Sequence, residues 1–85
     1  MHMLPNLKLL QVFTSVVENH GYSRAQQALN MTTPAISAYM SELEAQLGFV
    51  LCKRGRGGFA LTAKGEQFYH YSQEMLATLN VWQNQ

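Results

Sequence analysis

The side chains with the most chemistry to offer are basic. Lys53, Arg54, Arg56 and Lys64 are four of the six Lys and Arg residues, and they stand within a stretch that holds no acid. The five acids lie elsewhere, at Glu18, Glu42, Glu44, Glu66 and Glu74, so a net charge of only +1 conceals a segregated distribution. Such a concentrated basic loop suits a module that contacts few phosphates. Within it, Arg54-Gly55-Arg56-Gly57-Gly58 sets guanidinium groups beside residues with little bulk. That pairing suits the narrow, negative minor groove of duplex DNA or its sugar-phosphate edge. The rival reading is a merely solvated hairpin, which the glycines between the arginines disfavour. Glycine-rich loops also cradle nucleotide phosphates, but no Gly-Lys-Ser or Gly-Lys-Thr follows here.

Catalytic arrangements do not emerge. No carboxylate pair, Ser/His/Asp set or metal-ligand spacing is present, and His2, His20 and His70 are scattered, so the chain reads as a non-enzyme with no cofactor and no metal. Cys52 stands alone in an apolar run and reads as a small buried hydrophobe in a chain suited to a reducing cytoplasm. No apolar span is long enough for a membrane helix, and no basic region followed by an apolar core marks a signal peptide. Met3, preceded only by Met1 and His2, reads as the natural start.

Those basic groups need elements to hold them. From Tyr22 to Gly48 the chain reads as two helices joined by a short turn. Ser23 and Gln26 have the spacing of a capping box, which starts the first of the pair at about Ser23. Ala25, Ala28 and Leu29 recur at helical spacing, the alanines allowing close approach, and Asn30 breaks the run. Met31 reads as a plug under the turn. Thr32 or Thr33 caps the second helix, with Pro34 in its first turn where a missing N–H costs nothing. Ile36, Met40, Leu43 and Leu47 form its core stripe, and Gly48 ends it.

The opposite side of that second helix is small and uncharged: Pro34, Ser37, Ala38, Ser41 and Ala45. A solvated face ordinarily carries Lys and Glu. Short side chains instead let a helix backbone approach another surface closely, and a helix so placed is the reading element of helix-turn-helix proteins. Thr32, Thr33, Pro34, Ala35, Ser37, Ala38, Tyr39 and Ser41 are therefore the candidate groove-facing residues, and Lys53, Arg54 and Arg56 the candidate wing contacts. Hydroxyls serve phosphates or base edges, and Ala or Thr methyls can meet thymine methyls.

The flanking segments complete the outline. Asn6 caps a first helix with Leu9, Leu10, Phe13, Val16 and Val17 on one stripe, ending near Asn19 to Gly21, and Tyr22 packs beneath the turn that follows. Val50–Lys53 and Phe59–Leu61 read as strands enclosing the Gly/Arg tip. Thr62 caps a long final helix to about Gln83. In it Gly65, Phe68, Ser72, Met75, Leu79 and Trp82 are spaced 3, 4, 3, 4, 3, a heptad seam that needs a partner. Phe68, Met75, Leu79 and Trp82 are the candidate contacts with a second copy; the rival is a helix folded back on its own domain. A chain of 85 residues buries only about 60–65 % of its unfolded surface, so a partner would help it.

Several of these residues carry a resemblance. Ala25 or Ala28, Leu29, Thr32, Pro34, Ala35, Ile36 and Ser37, then Leu43, Glu44, Leu47 and Gly48, then Leu51 and Arg54, and finally Leu61, Thr62 and Gly65 follow a pattern that resembles the LysR-type transcriptional regulators. The departures are Thr33, Ala38, Ser41 and Cys52, where members often carry Gln, Arg, a basic residue and Phe. The resemblance implies a mainly α winged helix-turn-helix with a three-helix core, a two-stranded β wing and a long linker helix. Residues 1–61 would form the DNA-binding domain and 62–85 the dimerisation helix. It further implies sequence-specific binding of operator DNA as a homodimer in the bacterial cytoplasm, and a small-molecule effector only through a C-terminal domain outside this chain. The competing function is a winged-helix protein-interaction module that binds no DNA; missing basic residues at 38 and 41 favour it and the wing arginines oppose it.

Overall fold

Asn6 opens the first helix by accepting the N–H of Leu9 on its side-chain oxygen at 2.9 Å, the cap expected of it. The computed structural model describes residues 6–55 and 58–83, with the backbone alone for 81–83. Its elements run α1 (Leu7–Glu18), α2 (Tyr22–Leu29), α3 (Thr33–Leu47), β1 (Cys52–Gly55), β2 (Gly58–Leu61) and α4 (Ala63–Gln83). The result is the expected mainly helical winged helix-turn-helix. None of its described helices is long and apolar enough to cross a membrane.

Helix α1 lies at the centre because its apolar residues surround it: Leu9, Leu10, Val12, Phe13 and Val16 are all buried. Three helices pack on it, α2, α3 and α4. Tyr22 and Ala25 come in from α2, Ile36, Met40 and Leu43 from α3, Leu51 from the wing's root and Phe68 from α4. Phe13 carries the join to α4, with ring centroids 5.5 Å from Phe68 and 6.1 Å from an edge-on Tyr69. Such pairs contribute about 0.5–1.5 kcal/mol beyond their buried area. The buried hydroxyls are satisfied locally: Thr14 donates to the Leu10 carbonyl at 3.0 Å and Ser72 to the Phe68 carbonyl at 2.9 Å.

The corner between α1 and α2 differs from the capping-box expectation. His20 takes φ 60° and Gly21 φ 144°, a reversal that suits the glycine. Helix α2 then starts at Tyr22, and its cap position, Gly21, has no side chain to offer. Ser23 is already helical, so its hydroxyl does not cap. Two tertiary demands account for the shift: Tyr22 is buried in the core, and the Gln26 carboxamide is used elsewhere. Of the small residues on α2, Ala25 is buried and Ala28 exposed. Leu47 and Met31 are half-buried at the core's margin.

Between α2 and α3, Asn30 adopts the left-handed conformation. Thr32 is the cap, accepting the N–H of Ala35 at 3.3 Å, which settles the choice between the two threonines. Gly48, at φ 84°, ends α3. Strand β1 begins two residues later than Val50 and β2 one earlier than Phe59, and they pair antiparallel, Cys52 with Leu61 through Gly55 with Gly58. Arg54 therefore belongs to β1.

Four hydrogen bonds and one close backbone approach converge where the wing leaves the core. Glu44 of α3 accepts the Leu51 N–H at 2.7 Å. The Thr62 hydroxyl donates to the Val50 carbonyl at 2.7 Å and accepts the Gly65 N–H at 2.9 Å, while the Thr62 N–H donates to the Leu51 carbonyl at 2.9 Å. Gly65 lies so near that carbonyl that a Cβ would overlap its oxygen. The glutamate, threonine and glycine of the recurring pattern thus tie α3, the wing and α4 to one another.

Phe68, assigned from its heptad position to a contact with a second copy, is only 9 % exposed and occupied by Phe13 of its own chain. The correction has a simple cause: α1 covers the first turns of α4, so the seam's inner residues are core. Further out, Met75 and Leu79 are exposed.

Candidate nucleic-acid interface

Helix α3 presents to the outside the face the sequence marks as small. Thr32, Pro34, Ala38 and Ser41 are exposed, Thr33, Ala35, Ser37 and Tyr39 half-buried, and Ile36, Met40 and Leu43 face inward. No Lys or Arg stands on this helix. Positive charge reaches its start from α2 and the wing instead.

Successive residues of a strand point to opposite faces. On β1 that rule separates Lys53, paired with Ala60, from Arg54, paired with Phe59. Arg54 and Phe59 share the face turned towards α2. The Arg54 guanidinium lies 4.1 Å from the centre of the Tyr22 ring, and a Cβ on Gly21 would be 3.9 Å from the Phe59 Cβ. A cation over a tyrosine face contributes about 0.5–1 kcal/mol at an exposed site, which favours this placement of the guanidinium. Lys53 and Arg54 both remain exposed.

The groove beneath Arg54 contains a residue that sequence reasoning passed over. Arg24, in the first turn of α2, lines it together with Ser23, Thr33, Arg54 and His20. Basic residue Arg24 stands 30 positions from Arg54, outside the basic cluster, yet the fold sets both around the groove that the start of α3 borders. The detectable signal was its place, an exposed basic residue opening the first helix of the pair. Lys64 goes the other way: its ammonium lies 5.5 Å from the centre of the Phe49 ring and lines a different groove, with Gln67 and Tyr71. Arg56 falls outside the described residues, as does the Trp82 side chain.

Two ionisable groups sit at the wing's root. Burial pushes the Cys52 thiol up to about 12, with the Glu44 charge adding to the effect and Arg54 opposing it. The Tyr22 hydroxyl is likewise raised to about 12, first by burial and then by Cys52, again against Arg54. Both groups are therefore neutral near pH 7, and a protonated thiol is a poor nucleophile. Among the described residues, no group of three His, Cys, Asp or Glu could hold a metal ion.

At the outer end of α4, Leu7, Leu10, Tyr71, Met75 and Leu79 line an apolar groove between α1 and α4. Leu7, Met75 and Leu79 are each about 40 % exposed (39 %, 39 % and 41 %). On the inner side of the same helix, the Tyr69 hydroxyl is bonded to Glu18 of α1, and burial followed by that carboxylate raises its pKa.

Known proteins share this arrangement. The family model described as bacterial regulatory helix-turn-helix protein, lysR family, matches residues 7–66. The HTH-type transcriptional activator BauR of Pseudomonas aeruginosa is 43 % identical over 74 residues, covering 87 % of this chain and 24 % of BauR. The chain thus spans about a quarter of the length of that curated relative. Among solved structures, the CbnR DBD–DNA complex superposes with a TM-score of 0.86 at 30 % identity, covering 93 % of this chain and 91 % of that one. The BenM DBD bound to catB site 1 DNA does so with a TM-score of 0.88 at 29 % identity, covering 93 % and 85 %. With its fold matched over 93 % of its length and residues 7–66 matched in sequence, the chain belongs to the bacterial regulatory helix-turn-helix proteins of the LysR family.

Proposed function

We propose that this chain binds double-stranded DNA sequence-specifically as the DNA-binding unit of a LysR-type transcriptional regulator. In this reading α3 enters the major groove with Thr32, Thr33, Pro34, Ala35, Ser37, Ala38, Tyr39 and Ser41 on or beside the base-facing side. Lys53, Arg54 and Arg56 contact the minor groove or the backbone, and Arg24 joins them from α2. The observation that carries the reading is the groove bordered jointly by Arg24, Thr33 and Arg54, which sets fixed positive charge beside a helix face free of bulk. CbnR and BenM, whose DNA-binding units have the same fold, are seen with DNA.

Two copies pair in this proposal through the outer part of α4, with Met75, Leu79 and Trp82 at the contact, so that two α3 helices address successive major grooves of a roughly palindromic operator. Residues 1–61 are then the DNA-binding domain and 62–85 the linker and dimerisation helix, whose inner turns also pack on α1. The whole regulator would act on transcription rather than catalyse a reaction, in the bacterial cytoplasm at the nucleoid. Its small-molecule effector would bind a C-terminal domain outside this chain.

The test is a selection of bound sequences from random duplexes, followed by titration of Ser37→Glu on the enriched duplex. Position 37 lies off the buried stripe of α3, so the variant should keep its circular dichroism and lose specific binding through bulk and phosphate repulsion. Full affinity in the folded variant would remove α3 from the groove and favour a protein-interaction module instead.

A further inference from the structure

Gln26 stands one turn before the end of α2 and reaches across to α3. Its backbone carbonyl accepts the N–H of Met31 at 3.1 Å, and its side-chain Oε1 accepts the N–H of Thr33 at 3.1 Å. The carboxamide Nε2 donates to the Ser23 carbonyl at 3.1 Å, which turns the oxygen towards Thr33. One residue thereby holds the turn of the helix-turn-helix at two points.

The bond to Thr33 matters because of where it falls. The first N–H groups of a helix have no partner within it, and they form a ready anion site. In α3 the positions concerned are the cap Thr32 and then Thr33, Pro34 and Ala35, and the last three are accounted for. Pro34 has no N–H, Ala35 donates to the Thr32 hydroxyl at 3.3 Å, and Thr33 donates to Gln26. Ile36 already donates to the Thr32 carbonyl at 3.0 Å. From 33 to 36, then, every backbone donor is committed inside the protein. At positions 33 to 35 a phosphate, which every sequence supplies, finds no free amide; what these positions can offer DNA is side chains, whose contacts differ with the base.

We infer that Gln26 is a specificity-positioning residue: by accepting the Thr33 N–H it fixes the first turn of α3 and withholds that amide from phosphate. Gln26 acts through Thr33, and the inference rests on the DNA-binding reading above.

Gln26→Met keeps the side chain's length and removes the acceptor; Gln26→Glu keeps an acceptor oxygen at the same reach. The 85-residue chain and both variants are titrated on the duplex enriched by the wild type and on a scrambled duplex, and amide hydrogen exchange at Thr33 is followed without DNA. For Gln26→Met the ratio of scrambled to enriched dissociation constants should fall about three- to tenfold, the worth of one hydrogen bond. Its Thr33 amide should exchange faster while circular dichroism is unchanged. Gln26→Glu should weaken both duplexes alike through its charge and restore the ratio to near the wild-type value, with Thr33 again protected. An unchanged ratio in Gln26→Met, a ratio that Gln26→Glu fails to restore, or a Thr33 amide equally labile in wild type and Gln26→Met would overturn the inference. A wild-type chain with no preference among duplexes would instead overturn the function proposed above, and this inference with it.

Discussion

Helix α4 contains two regions that share one heptad pattern and meet different fates. From Ala63 to Ser72 its seam is core: Gly65 abuts the Leu51 carbonyl, Phe68 packs on Phe13, and Ser72 is 0 % exposed. From Gln73 to Asn80 the same spacing leaves Met75 and Leu79 exposed beside Leu7. Among the described residues the difference lies in α1, which starts at Leu7 and leaves the outer turns of α4 beyond its own length. A seam longer than its cover is intramolecular in its inner half, and in the function proposed above its outer half is the surface for a second copy.

The contrast can be broken most forcefully at Phe68. Phe68→Ala removes a ring from a buried pair and should cost about 3–5 kcal/mol, the range for such truncations. Urea unfolding reads this directly. A loss below about 1 kcal/mol would show that the Phe68–Phe13 contact is not part of the core.

Gly65→Ala tests the same inner region by addition. Alanine in a helix interior is worth up to about 1 kcal/mol over glycine. Here its methyl would meet backbone oxygen, which cannot turn away, so α4 and the wing's root would have to part. A net destabilisation of about 1–3 kcal/mol is expected in the same unfolding experiment. A more stable variant would show that Leu51 and α4 are not so closely joined in solution.

These two positions also show what a sequence can tell. The ends of elements were legible where their chemistry is local: Asn6, Asn30 and Gly48 act within a few residues of themselves, as does Thr62 in capping Gly65. The small outer face of α3 and the inward stripe of Ile36, Met40 and Leu43 were legible from helical periodicity. What escaped is tertiary. Ser23 and Gln26 have capping-box spacing, but the burial of Tyr22 moves the helix start and Thr33 claims the Gln26 oxygen. Arg24 meets the Arg54 groove only because α2 folds against the wing. Glu44 carries no periodic signal for its bond to Leu51. Phe68 was misplaced because a heptad has the same spacing whether the facing surface belongs to the chain itself or to a copy.

Leu79 is where the comparison is sharpened with the smallest effect on the protomer. The side chain is 41 % exposed and lines an open apolar groove, so within one chain it has little to lose. Leu79→Glu should change the unfolding free energy of the isolated protomer by no more than about 0.5 kcal/mol, as surface substitutions do. Between two copies the outcome reverses. A carboxylate placed in an apolar contact must be desolvated without a partner, and a twofold interface sets it there twice. Equilibrium sedimentation at micromolar concentration should therefore show a dimer for the wild type and a monomer for the variant, while Phe68→Ala, if it still folds, remains able to pair. An unchanged mass for Leu79→Glu would mean that copies associate elsewhere, and that the exposed half of α4 is the uncovered end of a helix rather than an interface.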